Sequence, residues 1–403
     1  MIAERKIRKI QRAGCVAVIL ASSLGALAIV RALGKKKIPC IVIGHDFHHK
    51  SFYTTVALKV KSKEEIVNLL LQIPRILKMK PVLFTDADEY MDIQFANWEQ
   101  LENDYYIPLS KNNYKLVNKE LIENIDGVHN VIALPLSFLS LGEIEKQHYP
   151  VIIKPLSQNA TVSAVKTKPD KAYICKNLVE AEKTVRFLQN LNTPYVIQQL
   201  IEGGASKNYS ALLYRNTNGR VEVGYIAKKL RAFPLGFGVS SAMISAKNNE
   251  IVDQSIAIMD LIDFQGIGEF EYKYCEKTNK YTLLEVNGRF PLQTGLLRRS
   301  NPEFMFSVFH DLLSNANSKE ISDTSVSDIY WIFLLNDLRA IKAEYKASML
   351  TVNLKACFTS RIQEALWSFS DPLPAIYFAK YVAKNLIRMR KNKHSSYRTK
   401  KVL

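Results

Sequence analysis

The sequence predicts an α/β chain: a Rossmann-like opening, a larger α+β region with hairpins, and a helical, basic tail. Three observations predict it. Apolar strand-like runs alternate with helical periods from Val16 to Thr85. Two strands carrying charge at every second residue lie within 266–290. Beyond Leu313 the pattern turns polar and then helical. At 403 residues, 47% apolar and 23% charged, the chain has globular composition and room for two or three domains.

The net charge of +17 sits mostly at the ends, since the first twelve residues and Lys384–Lys401 carry twelve of those charges. A mildly basic middle argues against a nucleic-acid-reading core, while basic ends suit a phosphate-rich surface. The five cysteines (Cys15, Cys40, Cys175, Cys275, Cys357) form no CxxC pair. That spacing predicts a reducing cytosol, with no disulfide framework and no zinc site.

The first apolar run, Cys15–Leu33, has the length of a short membrane span. Ser22-Ser23, Gly25 and Arg31 interrupt it, and splitting it there yields a strand Val16–Leu20 and a helix Leu24–Leu33. A second strand, Ile38–Ile43, follows. The motif G-x-G-x-x-G is absent, so this unit gives no sign of a dinucleotide. A helix near Glu64–Ile76 and a strand Val82–Thr85 continue the pattern. That strand runs into Asp86-Ala87-Asp88-Glu89, at the carboxyl end where open α/β sheets bind ligands, although a solvated loop reads equally well. A helical segment at Leu116–Ile125 holds Asn118-Lys119. Strands, helices and two hairpins then fill Tyr149–Leu313, and Ser314–Ser327 reads as a linker or exposed loop. The predicted division is 1–112, 113–313 and 314–403.

The chemistry concentrates in GIGEFEYKY (Gly266–Tyr274) and YTLLEVNGRF (Tyr281–Phe290). Residues two apart share a strand face, so Glu285, Asn287 and Arg289 project together from an otherwise apolar strand. A hairpin symmetric about Thr278 sets Glu271 opposite Glu285, a repulsion of a few tenths to ~1 kcal/mol. A divalent cation between them reverses that cost, with Asn287 adding an amide oxygen and phosphate oxygens completing the shell. Arg289 then suits a developing phosphate or oxyanion charge. The competing reading is a solvated hairpin face. Upstream, VIIKP ends a buried-type strand at Lys154, for which a phosphate is a natural partner and a snorkelling surface position the ordinary one. The loop LSQNATV follows without a glycine, and YVIQQLIEGG (Tyr195–Gly204) ends as a polar, glycine-rich edge suited to an adenine.

Together these motifs resemble the ATP-grasp superfamily, and more narrowly its carboxylate–amine ligases of the D-aspartate ligase type, over roughly residues 15 to 313. The matched features are Asn118-Lys119, VIIKP, QQLIEGG, KKLRAFPLGFG (Lys228–Gly238), EFEYK and LLEVNGRF; SDPLP (Ser370–Pro374) looks like the tail of these ligases. Asn118, Gln199 and Gly288 stand where that family usually has aspartate, glutamate and proline, and the phosphate loop lacks its glycines. The resemblance implies a preATP-grasp domain, a two-lobed ATP-grasp domain and a helical C-terminal extension. It implies ATP with Mg²⁺ or Mn²⁺ and formation of an amide from a carboxylate and an amine through an acylphosphate. Lys119 and Lys154 would hold phosphates. Gln198, Gln199, Leu200, Ile201 and Asn208 would hold the nucleotide. Glu271, Glu285 and Asn287 would hold metal, and Arg289 and Arg231 would act in catalysis. The family points to cell-envelope substrates, selected by the loops Lys228–Ser245 and Pro291–Arg299. A kinase on the same fold, or a nucleotide-binding scaffold without turnover, are the competing functions. No nucleic-acid partner is expected. From Ala375 a helix would align Lys380, Lys384, Arg388 and Lys391 beside an apolar stripe from Ile376 to Met389. Such a helix either lies on an anionic membrane or packs on the enzyme.

Overall fold

The computed structural model describes residues 2–44, 46–117, 122–156, 170–314, 321–344 and 361–385. It is built on three sheets.

The first sheet begins with the run that could have been a membrane span, which forms its first strand and most of the following helix. Its strands are β1 (Ala17–Ala21), β2 (Cys40–Gly44), β3 (Thr54–Leu58) and β4 (Val82–Thr85), all parallel in the order β3-β2-β1-β4. β1 and β2 are buried along their whole length, as parallel strands covered on both faces must be. Helix α1 (Glu4–Ala13) precedes β1, α2 (Leu24–Lys35) joins β1 to β2, and α3 (Lys63–Leu77) joins β3 to β4. Among the described residues no helix is long and apolar enough to cross a membrane.

The chain order β1-β2-β3 grows away from β1 on one side and β4 joins on the other, so a topological switch point lies between β1 and β4. Asp86 follows β4 there, and it is buried. Its carboxylate accepts hydrogen bonds from the backbone N–H groups of Ser22 (2.9 Å), Ser23 (2.7 Å) and Ala26 (3.0 Å). This satisfies otherwise orphaned donors at the start of α2 and complements the helix dipole. Asp86 is therefore a buried cap, neither a ligand group nor part of a solvated loop, whereas Asp88 opens the next helix, α4 (Asp88–Ala96), and pairs with Arg289.

The second sheet is small and antiparallel: β5 (Ser137–Phe138), β6 (Val151–Pro155), β7 (Tyr173–Cys175) and β8 (Tyr195–Gln199), in the order β5-β8-β6-β7. It has its own core, in which Val151, Ile153 and Ile197 pack on Ala181, Val185 and Leu188 of the helix Leu178–Asn190.

The third sheet is the largest. Its strands are β9 (Asn208–Arg215), β10 (Val221–Phe233), β11 (Val239–Ala246), β12 (Gly266–Cys275) and β13 (Lys280–Asn287), joined by β14 (Ile321–Ser322), β15 (Tyr330–Ile332) and β16 (Ile362–Glu364). The order is β13-β12-β9-β10-β11-β15-β16, with β14 beside β10. One face packs on the helix Asn249–Leu261. The other shares a core with β1, α2, Trp331 and Leu366, which joins the first sheet, the third sheet and the tail. Beyond position 313 the region is helical over Leu334–Glu344 and 373–385, as expected. The three short strands there are additions the sequence pattern does not mark, because two or three residues are too few to show alternation.

The family-type tail motif is fixed by a buried ion pair. Arg31 of α2 donates from Nε to Asp371 Oδ2 (2.9 Å), and Ser51 Oγ (2.8 Å) and the Phe52 N–H (2.9 Å) donate to the same carboxylate. Arg31 also donates to the Leu366 and Asp371 carbonyls.

Candidate active site

β12 lies between β9 and β13, and its register decides what meets what. Glu271 is opposite Glu285, and Glu269 is opposite Asn287. Between Glu271 and Tyr272 the register shifts by one residue, so Leu284 has no cross-strand partner and Leu283 pairs with Tyr272. The bulge solves a problem in the sequence. In a regular strand Leu283 would share the face of Glu285; here it joins Tyr272 and Val286 in the core. The polar face is left to Glu269, Glu271, Glu285 and Asn287.

Glu269 is 1% exposed and is the centre of a hydrogen-bond network. Its Oε1 accepts from Ser210 Oγ (2.7 Å) and Gln293 Nε2 (2.6 Å), and its Oε2 accepts from Asn287 Nδ2 (3.2 Å). Asn287 Nδ2 also lies 3.4 Å from Glu285 Oε1. Burial, and after it the neighbouring Glu271 carboxylate, push the Glu269 carboxyl up to about 8, while Arg289 opposes the shift. Arg289 pairs through Nε with Asp88 and places NH1 3.7 Å from Glu269 Oε2. Burial works against its charge, but Asp88 and Glu269 together outweigh that and hold the guanidinium more firmly protonated than usual.

Gly288, between Asn287 and Arg289, explains one departure from the family pattern. A Cβ there would meet Leu109 Cδ1 at 2.8 Å, Val117 Cγ1 at 3.1 Å and Met91 Sδ at 3.2 Å. A side chain at this position needs those three side-chain ends to shift. Gly25 shows a similar approach from the first sheet, since its Cβ would lie 2.5 Å from the Pro291 carbonyl oxygen. The first turn of α2 is thereby seated against the loop that follows Arg289.

The predicted nucleotide residues form a second group. Lys154 donates from Nζ to Gln198 Oε1 (2.9 Å), and Gln198 Nε2 donates to Ser137 Oγ (3.1 Å). Gln199 exposes its side chain while its N–H bonds the Leu136 carbonyl (2.7 Å), and Ile201 is buried. A Cβ on Gly203 would lie 3.7 Å from Lys273 Cε, so the glycine-rich edge reaches β12 two residues from Glu271. Asn208 pairs in register with Lys273, and its Oδ1 is buried without a hydrogen-bond partner. Lys273 is itself depressed by burial and then by Lys229, a like-charge pair that an anion would relieve. Lys119 and Asn118 lie outside the described residues, as does the loop 157–162.

Arg231 is buried against a carboxylate. Its Nε and NH2 donate to Asp337 Oδ1 (2.7 Å) and Oδ2 (3.0 Å) in a buried bidentate pair, which Ser241 Oγ joins (3.1 Å). The structure thus gives it a carboxylate from the helix Leu334–Glu344 rather than one from the Glu269 network.

The residues fit the groups the sequence implies. Opposed carboxylates beside an amide are hard oxygen donors, which suit Mg²⁺. Among the described residues no cluster of three His, Cys, Asp or Glu side chains forms a metal cage, so a cation here would draw further ligands from phosphate oxygens. The orphaned Asn208 oxygen is an acceptor suited to a ligand hydroxyl or amino group, and the Lys229–Lys273 pair is suited to an anion. Sequence reasoning missed Glu269, Ser210 and Gln293 as site residues, and offered Asp88 only within the acidic cluster after β4. The spacing of Glu269 with Glu271 was a visible signal for the first; Ser210 and Gln293 carried none.

No protein-family model matches the chain, and no curated protein matches it in sequence. Solved structures do resemble it. An L-amino acid ligase from Bacillus licheniformis superposes with a TM-score of 0.57 at 16% identity, covering 74% of this chain and 74% of its own. The N5-carboxyaminoimidazole synthetase of Staphylococcus aureus gives 0.59 at 15% identity, with 82% and 86% covered. A biotin carboxylase domain from Hydrogenobacter thermophilus, solved with MgADP, gives 0.58 at 12%, with 78% and 72% covered. These neighbours are ATP-grasp enzymes, and at such identities the likeness is one of fold.

Proposed function

We propose that the protein is an ATP-dependent carboxylate–amine ligase that forms an amide through an acylphosphate. The observation that carries the reading is the Glu271–Glu285 opposition beside Asn287 and Arg289. Opposed carboxylates destabilise a bare sheet, and this pair gains a purpose once a cation and phosphates lie on that face. The ligase fold of the Bacillus licheniformis neighbour supports it.

ATP supplies the phosphoryl group and Mg²⁺, or Mn²⁺, the neutralising charge when bound. Lys154, steadied by Gln198, meets phosphate oxygens, and Lys119 is assigned the same task from the resemblance. Gln198, Gln199, Leu200, Ile201 and Asn208 line the nucleotide. Glu271, Glu285 and Asn287 would hold the metal. Arg289, aimed by Asp88 and Glu269, stabilises charge developing on the transferring group. Arg231 acts from the substrate side, held by Asp337. The protein's work is positioning and charge neutralisation. Residues 1–112 then serve as the preATP-grasp domain, 113–313 as the catalytic domain and 314–403 as the extension. A cell-envelope precursor is the substrate class we favour, with the enzyme on the cytoplasmic side.

The test is release of ADP and inorganic phosphate across a panel of carboxylates, with and without amines. Release that needs both substrates supports the ligase. Stoichiometric ADP with one acceptor and no phosphate release identifies a kinase instead.

A further inference from the structure

The Glu4–Ala13 helix and the tail around 367–384 lie at opposite ends of the sequence, yet they border one surface. α1 exposes Arg5, Lys6, Arg8, Lys9 and Arg12, and together with the edge strand β3 it walls a groove of about 910 Å³ ending at Phe52. Phe52 is 62% exposed. Its N–H is bonded to Asp371, and two residues before Asp371 stands Phe369, 91% exposed and edge-on to the half-exposed Trp367. After Asp371, the helix over 373–385 packs inward through Pro374, Ala375 and Phe378. Its outward side presents Ile376, Tyr377 and Tyr381 around Lys380 and Lys384. Lys50 lies 4.4 Å from the Tyr377 ring, which closes the path between the two regions.

The packing differs from the stripe the sequence suggested. Ala375 and Phe378 make the contact, so Ile376 and Ala379 remain outward beside the lysines. Residues Leu386, Arg388, Met389 and Lys391 lie outside the described residues. Several large aromatics exposed on one surface, Phe52 and Tyr377 among them beside basic side chains, mark an interaction site. Apolar side chains that can enter an interface, with cations placed to meet anions around them, complement an anionic lipid bilayer.

We propose that this surface docks the protein peripherally on an anionic membrane: Phe52, Phe369 and Trp367 enter the headgroup region while α1 and the Lys380–Lys384 side meet the lipid charge. The proposal stands apart from the ligase reading, because its readout is binding rather than turnover.

The experiment is co-sedimentation of the full chain with phosphatidylcholine vesicles and with vesicles containing 30% phosphatidylglycerol, at low and high salt. Three proteins are compared: wild type, Phe52→Ser with Phe369→Ser, and Lys6→Glu with Lys9→Glu. All four positions are exposed, so the fold should survive, and circular dichroism confirms it. The expected result is at least tenfold stronger binding to anionic vesicles, weakened by salt, with each double variant losing about tenfold. The aromatic pair should lose binding even at low salt. Three results overturn the proposal: no vesicle binding by the wild type, vesicle binding unchanged in both variants, or equal attraction to vesicles and to a DNA duplex with the aromatic variant unaffected. The second would assign attachment to the basic terminus alone, and the third to charge without lipid.

Discussion

At the residue scale, three side chains carry the account. Glu285 faces Glu271 across the hairpin, so Glu285→Gln should lower turnover at least a hundredfold while leaving the unliganded protein as stable or slightly more so. Steady-state ADP release and a melting curve measure the two effects. Near-normal turnover at saturating Mg²⁺ would remove the metal assignment. Lys154→Ala should weaken nucleotide binding with the fold intact, since the lysine ends a strand and its partner Gln198 keeps Ser137. Calorimetry with ATP reads this directly; unchanged affinity would make Lys154 a surface lysine. Glu269 predicts a pH effect of definite sign. Its folded carboxyl is raised from 4.5 to about 8, so between those values the folded state binds more protons than the unfolded one. Its contribution to stability is full at low pH and is lost as pH rises through about 8. Melting temperature of the unliganded protein should therefore fall over that range, and Glu269→Gln should flatten the slope. A slope identical in the variant would assign the titration elsewhere. The opposition of Glu271 and Glu285 was legible in the sequence, because strand alternation and a short turn define register. The burial of Glu269 was not, since charge at every second residue reads as a solvated face until β9 and the 293 loop cover it.

At the element scale, glycines and one ion pair tie the parts together. Gly288→Ala should cost about 1–3 kcal/mol by overpacking against Leu109, Val117 and Met91. Asp371→Ala leaves the Arg31 guanidinium buried without its carboxylate and should cost about 3–5 kcal/mol, read as a lower urea midpoint. A midpoint unchanged by that substitution would show that SDPLP is not what seats the tail. Here the sequence was a mixed guide. β4 (Val82–Thr85) falls where its apolar run and the acidic boundary put it, and α2 begins where the serines interrupt the first run. The pairing of Arg231 with Asp337 was invisible, because it joins residues 106 positions apart and no local pattern encodes the partner. The same holds for Arg31 and Asp371, 340 apart.

At the scale of the whole molecule, the three sheets of the described residues put Lys154, a glycine-rich edge and a carboxylate face on one chain. The fold class was legible because parallel strands buried on both faces, and hairpins with one polar face, leave different patterns. The substrate is not legible, since nothing in the sequence of Lys228–Ser245 or Pro291–Arg299 points to a particular acid or amine. The central claim is that a carboxylate is activated by phosphoryl transfer before an amine attacks it. With a carboxylate that supports ADP release, both of its oxygens can be labelled with ¹⁸O and the released phosphate examined by mass spectrometry. An acylphosphate route transfers one ¹⁸O into each phosphate, with the other retained in the amide. Phosphate free of label, alongside normal amide formation, would contradict the account.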